Sequence, residues 1–385
     1  MAGFSSQDDL INQITTNSKF WRSDWNKLFN PTTAAVAGEW HTLFRGAGNP
    51  AADALFNTGT NLQWQSVCDL TASAGCVYHG GNVGASGSDF KTVLNASAFS
   101  AAATTMPAVL MLVDVLAFHR LTSVTTATAQ STVVSNTFTA SSSSGLLLTY
   151  ANDWQNYSKV RFTNAGGGLP TGLSAGTDYW LVRVSSTTAR VATSFANAIA
   201  GTVVAYTDGG TGTHTLTMRL PRYSDGAGVQ AIMFNSNATA MGAATPNLSL
   251  GYTNAAGSGS RATPTVLPIG KTAGANSLIL YSGATGVGKY GPFMPLQAGD
   301  TGIQSIQTIQ NSVSYVSGEY SVAYVKPIFT LPMTTLGVAG EREFGSQVPS
   351  FPRVYDGAAL YWLLYSGANT PANSAFYGHI DFGWA

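Results

Sequence analysis

Between Val160 and Leu216 the chain reads as four or five short strands separated by Gly-rich turns, with few titratable side chains. Glycine costs about 1 kcal/mol relative to alanine inside a helix, and no helical periodicity survives such frequent interruption. A segment of this kind can fold only by pairing short strands through tight turns. From Glu39 onward most of the chain carries the same punctuation. The apolar runs Leu62–Val67, Val109–Val115, Val229–Phe234, Leu248–Tyr252, Ser321–Pro327 and Leu360–Tyr365 are of strand length. Some alternate, as a half-buried strand does, and others are continuous, as in a sandwich core covered on both sides. Helical patterns do not recur between them, which argues against a parallel α/β sheet.

The N-terminus differs. Ser6-Gln-Asp-Asp9 is a helix-capping pattern, and Leu10, Ile11, Ile14, Phe20, Trp21, Trp25 and Leu28 follow at near-helical spacing, with a break near Asn17 and a stop at Pro31. The expected architecture is mainly β: an antiparallel β-sandwich or jelly-roll-like body with an N-terminal helix and an inserted small β domain. Residues 1–30 form the helical segment, 31–122 and 218–385 a discontinuous β-rich body, and 123–217 the insert. Joining Val109–Leu121 directly to Arg219–Ser224 leaves a continuous body, so the insert reads as a loop insertion, and exposed loop tips tolerate these.

Charge narrows the function. The 385 residues carry 18 Lys+Arg and 18 Asp+Glu, so 9% are charged and the net charge is zero; a typical soluble chain has about 25%. A surface so poor in charge suits burial against other subunits, although a secreted protein solubilised by Ser, Thr and Asn has the same composition. No basic cluster is present to neutralise phosphates, so nucleic acid is not an expected partner. The longest apolar run, Ala108–Phe118, is interrupted by Asp114 and is too short to span a bilayer, so no membrane partner is expected. No signal-peptide pattern opens the sequence, and folding in a cytoplasm is expected, with Cys68 and Cys76 reduced.

Segments that resemble reactive motifs are incomplete. Gly283–Lys289 nearly spells a phosphate-binding loop, but Tyr290 and Gly291-Pro292 replace the Ser/Thr and the helix it needs. Cys68, Cys76 and His79 lack a familiar zinc spacing and a fourth ligand. A glycosidase needs two opposed carboxylates, and Asp225, Asp300 and Asp356 all sit in Gly-containing turns where they cap amides. No catalytic residue, cofactor or metal is therefore assigned. Two aromatic sets are candidate contact residues: Phe20, Trp21 and Trp25 for docking onto a neighbouring subunit, and Tyr150, Trp154, Tyr157, Tyr179 and Trp180 for stacking on the sugar rings of a glycan.

The Val160–Leu216 segment resembles a small β-module inserted in or appended to virion proteins of tailed bacteriophages. The body resembles virion proteins of the same phages through Phe20–Lys27, His79–Val83, Leu220–Gly226, Pro295–Gly302 and Pro349–Gly357. The resemblance implies a non-enzymatic virion component assembled in the host cytoplasm. Its expected partners are copies of itself, as a trimer, and other capsid proteins. A capsid decoration or cement protein is the expected form; a tail or fibre protein that binds a host receptor or glycan, and a major capsid subunit, are the alternatives.

Overall fold

Two strands of fourteen residues, Ala108–Leu121 and Tyr320–Met333, pair antiparallel along their whole length and organise the body. They lie within a sheet ordered Gln230–Asn235, Tyr320–Met333, Ala108–Leu121, Leu360–Ser366, Glu39–Thr42, with Trp64–Ser66 added beside Ala108–Leu121. The computed structural model describes residues 4–29, 34–57, 62–70, 75–83, 91–100, 102, 105–121, 129–141, 147–205, 207–236, 239, 246–264, 277, 279, 291–314, 317–347 and 351–385.

Both faces of this central sheet are buried, which explains its continuous apolar runs. Along Leu360–Ser366 the side chains alternate: Leu360, Trp362 and Leu364 join one core cluster, Tyr361 and Leu363 the other. The first cluster is shared with a second sheet, ordered Gly340–Glu343, Lys91–Phe99, Ala375–Trp384, Phe20–Leu28, Gly48–Asn49. The other cluster contains Leu250, Tyr252, Ile306 and Ile309 from a small four-stranded sheet. Every pairing between named strands is antiparallel, so the mainly β, antiparallel reading holds.

Six strands close into a barrel in the order Lys159–Ala165, Asp178–Arg183, Thr188–Ala192, Leu147–Thr149, Ser135–Ser141, Thr213–Arg219. Period-two alternation sends Val160 and Phe162, Tyr179 and Leu181, and Leu216 and Met218 inward. Closure removes the exposed edges that a small sheet of Ser- and Thr-rich strands would otherwise present. The barrel strands run from Ser135 to Arg219. Gln130–Ser131, inside the stretch expected to belong to the insert, pairs instead with Ile303–Asn311 of the body.

The N-terminal segment departs from expectation. Its helix spans only Gln7–Thr15, capped by Ser6 Oγ, which accepts from the Asp9 amide at 3.0 Å. Phe20–Leu28 is a strand, paired over all nine residues with Ala375–Gly383. The apolar spacing there fits a helix, since in a strand Phe20 and Leu28 fall opposite Trp21 and Trp25, and tertiary pairing overrides it: Ser23, Trp25 and Lys27 turn inward while Arg22, Asp24 and Asn26 stay exposed. The inward Lys27 is held by the carbonyls of Gly46 (2.7 Å) and Pro50 (2.9 Å), and burial lowers its pKa to about 8.

Candidate functional site

One cleft, of about 820 Å³, opens between the barrel and the body. Its barrel wall begins with Trp180, which points outward because its strand neighbours Tyr179 and Leu181 point in. Lys159, its cross-strand partner, holds its ammonium 5.2 Å from the Trp180 ring centre and 2.7 Å from Asp178 Oδ2. Burial works against the Asp178 carboxylate, but bonds from Lys159 and Arg161 outweigh it and keep its pKa below the usual range. The short helix Phe195–Ile199 completes this wall; Ser194 Oγ caps it by accepting from the Asn197 amide at 3.1 Å.

The body wall is built from two similar phrases, Arg222-Tyr-Ser-Asp-Gly226 and Arg353-Val-Tyr-Asp-Gly357. Each aspartate ties down a loop: Asp225 accepts from the Ala227 amide at 3.1 Å, and Asp356 from the Val83 amide at 3.0 Å. The two tyrosines meet edge to face at 4.8 Å, and the Arg353 guanidinium lies 4.0 Å from the Tyr355 ring centre. Gly357 has φ +69°, and a Cβ there would stand 2.6 Å from the Phe195 ring. Its missing side chain thus permits both the turn and the seating of the barrel helix against the body.

The floor carries a buried ion pair. Arg222 donates to both oxygens of Asp114, at 2.7 and 2.8 Å, and to the carbonyls of Val67 and Val115. Asp114 also accepts from the Ala359 amide at 3.0 Å. Burial disfavours the guanidinium charge, yet Asp114 more than compensates and raises the Arg222 pKa. The carboxylate that breaks the Ala108–Phe118 run is therefore anchored by the residue where the chain returns from the barrel. Cys68, 3.5 Å from Arg222, has its thiol pKa raised by burial despite that cation, and burial raises Cys76 further. Both cysteines are free thiols, and neither environment favours a reactive thiolate.

The predicted contact residues are dispersed. Trp180 lines the cleft, and Tyr157 sits half-buried, edge-on to Phe195 at 6.2 Å. Tyr150, Trp154 and Tyr179 are corrected to core residues: the first two pack on each other at 5.1 Å, and the Tyr179 hydroxyl accepts from the Ser174 amide. Trp25 is likewise core, 3% exposed and 4.9 Å from Trp362, which withdraws it from docking. Phe20 and Trp21 remain exposed, at 36% and 41%. Tyr223, Tyr355 and Phe195 were not singled out from sequence; the repeated Arg-Tyr/Val-Ser/Tyr-Asp-Gly phrasing is the signal that marks the two tyrosines.

The other reactive side chains sit in separate places. Asp300 is more than the turn cap expected of it: its carboxylate binds Tyr252 Oη (2.6 Å), Asn254 (2.7 Å) and Arg261 (2.9 and 3.0 Å), and Arg261 above all lowers its pKa to about 2. Among the described residues no cluster of His, Cys, Asp and Glu could hold a metal ion. Gly283–Lys289 lies outside the described residues. Ser97 Oγ and His379 Nδ1 are 2.8 Å apart, a nucleophile–base distance. However, Asp381 is 3.9 Å from Nε2 and engages Arg22 through both oxygens. The trio lies on a sheet face, with Ser97 paired to strands on both sides.

No family model matches the chain, and no curated protein matches it. Among solved structures, a chain in the structure of the infectious bursal disease virus Gt strain aligns at 9% identity and TM-score 0.17, over 97% of this chain and 86% of the other. The VP2 subviral particle of infectious bursal disease virus aligns at 8% identity and TM-score 0.15, over 94% and 80%. Similarity at this level carries no argument about fold or function.

Proposed function

We propose that the chain is a non-enzymatic structural subunit of a virus particle, in finer terms a tailed-phage capsid decoration or cement protein that holds the head together through subunit contacts. The observation that carries this reading is the helix Gln7–Thr15. Of its apolar residues Leu10 and Ile14 are only half-buried against its own chain, none is fully buried, and Ile11 is 55% exposed. A nine-residue helix is marginal by itself in water, and its contact with Ala375–Trp384 of its own chain covers it only in part. The exposed Phe20 and Trp21 stand beside it in sequence and extend the apolar arm. The low charge of the chain fits assembly through area and shape rather than ion pairs.

In this reading copies form a closed trimer, and the barrel is carried as an accessory to the assembled body. Deleting residues 1–16 tests it. The truncated protein should fold with unchanged strand content but fail to join particles or oligomers. Undiminished assembly of the truncated protein would contradict the reading. Association of the intact chain should also survive molar salt, measured by co-sedimentation with particles.

A further inference from the structure

We propose that the cleft between barrel and body binds a neutral oligosaccharide. Its volume of about 820 Å³ lies within the roughly 300–1,000 Å³ of small-ligand sites. Trp180 lines the barrel wall and the Tyr223–Tyr355 pair the body wall, so both walls of the cavity carry aromatic side chains. Sugar rings present apolar C–H faces between polar edges, and amphipathic aromatic walls suit both. Hydroxyl donors on those edges meet the oxygens of Asp225, Asp356 and Asn82, each already fixed by a backbone amide at 3.1, 3.0 and 2.9 Å. Acceptors held this way lose little freedom when a ligand arrives.

Charge selects a neutral ligand over an anionic one. Three cations line the cleft, and each is engaged: Lys159 with Asp178, Arg222 with Asp114, and Arg353 against the Tyr355 ring. A phosphate or uronate would have to take Lys159 or Arg222 from its carboxylate or rely on Arg353 alone, and would also face Asp225 and Asp356. Nucleotides and acidic sugars are thereby disfavoured, while a polyol meets no such cost. The two walls come from separately built units seated by the Phe195–Gly357 contact, so the site exists only when the barrel is docked. This inference does not depend on the assembly reading.

The test uses the full chain, with neutral trisaccharides of glucose, galactose, mannose and N-acetylglucosamine as probes, and sialyllactose and inorganic phosphate as anionic controls. Binding is read by tryptophan fluorescence and saturation-transfer NMR. At least one neutral probe should bind in the millimolar range or better. Trp180→Ala should weaken it about tenfold or more. Ala200→Trp, on the exposed C-terminal cap of the cleft helix, should block it while leaving the fold intact by circular dichroism. Binding of none of the neutral probes, binding of the anions alone, or neutral binding that survives both variants would each overturn the proposal. Particle incorporation of the two variants should match that of the parent, so this inference and the assembly reading can fail separately.

Discussion

The barrel and the central sheet of the body bury strands by opposite means. In the barrel each strand alternates, apolar residues fill the interior, and closure leaves no edge to cover. In the central sheet both faces are buried, and polar groups are carried inside with partners distant in sequence. Asp114 waits for Arg222, more than a hundred residues later, and His119 places Nε2 2.9 Å from Tyr324 Oη. Lys91 sits at the same depth in the neighbouring sheet, bonded to the His79 carbonyl at 2.6 Å with its ammonium 4.9 Å from the Trp384 ring centre. The barrel thus depends on the size and fit of its inward apolar side chains, whereas the body also depends on a few polar pairs that no apolar substitution on one side alone can replace.

Acid should separate the two regions most. Burial, aided by Lys91, lowers the His79 pKa to about 3, and burial lowers that of His119 to about 4. The unfolded chain takes up these protons from about pH 6.5 downward, while the folded body refuses them until pH 3 to 4. Stability therefore falls with pH across that window, by about 1.4 kcal/mol per unit for each histidine. By pH 4 the two together amount to a loss of about 6 kcal/mol. Denaturant titrations at pH 7 and pH 4 should show a lower midpoint in acid, and an acid-insensitive body would break the comparison.

Arg222→Ala comes next. It leaves Asp114 buried without its cation and should cost about 3–5 kcal/mol, read from chemical unfolding. The double variant Asp114→Leu/Arg222→Met should recover much of that loss. Leu181→Ala, in the barrel interior, should cost about 2–5 kcal/mol. Hydrogen exchange should localise that loss to Ser135–Arg219 and leave the strand Ala108–Leu121 protected. Gly357→Ala has the smallest effect, about 1–3 kcal/mol, because it strains a positive φ and collides with Phe195. Its distinguishing sign is a shift in the barrel's seating by small-angle scattering with little change in either core.

How far the sequence revealed this follows the same division. Alternation and Gly-rich turns were enough to read the four barrel strands between Lys159 and Arg219, since each fact needed was local, but not Ser135–Ser141 and Leu147–Thr149. Its first boundary was not readable, because Gln130–Ser131 takes its place by pairing with Ile303–Asn311 far along the chain. Phe20–Leu28 passed for a helix because Phe20, Trp21, Trp25 and Leu28 fit helical spacing and not alternation, and pairing with the distant Ala375–Gly383 strand overrides that local pattern. Asp300 passed for a turn residue because Tyr252, Asn254 and Arg261 come from other strands. Of the cleft, the sequence offered Trp180 and the echo between residues 222–226 and 353–357, but not that the fold brings them together.

The claim that this chain is a particle subunit rests on its half-covered N-terminal helix, and a cryo-EM reconstruction of the particle that carries the chain tests it most directly. The account predicts density for Gln7–Thr15 with Leu10, Ile11 and Ile14 seated against a neighbouring subunit. Density showing the outer side of that helix, Ile11 included, in solvent while the particle holds together through other surfaces would contradict it.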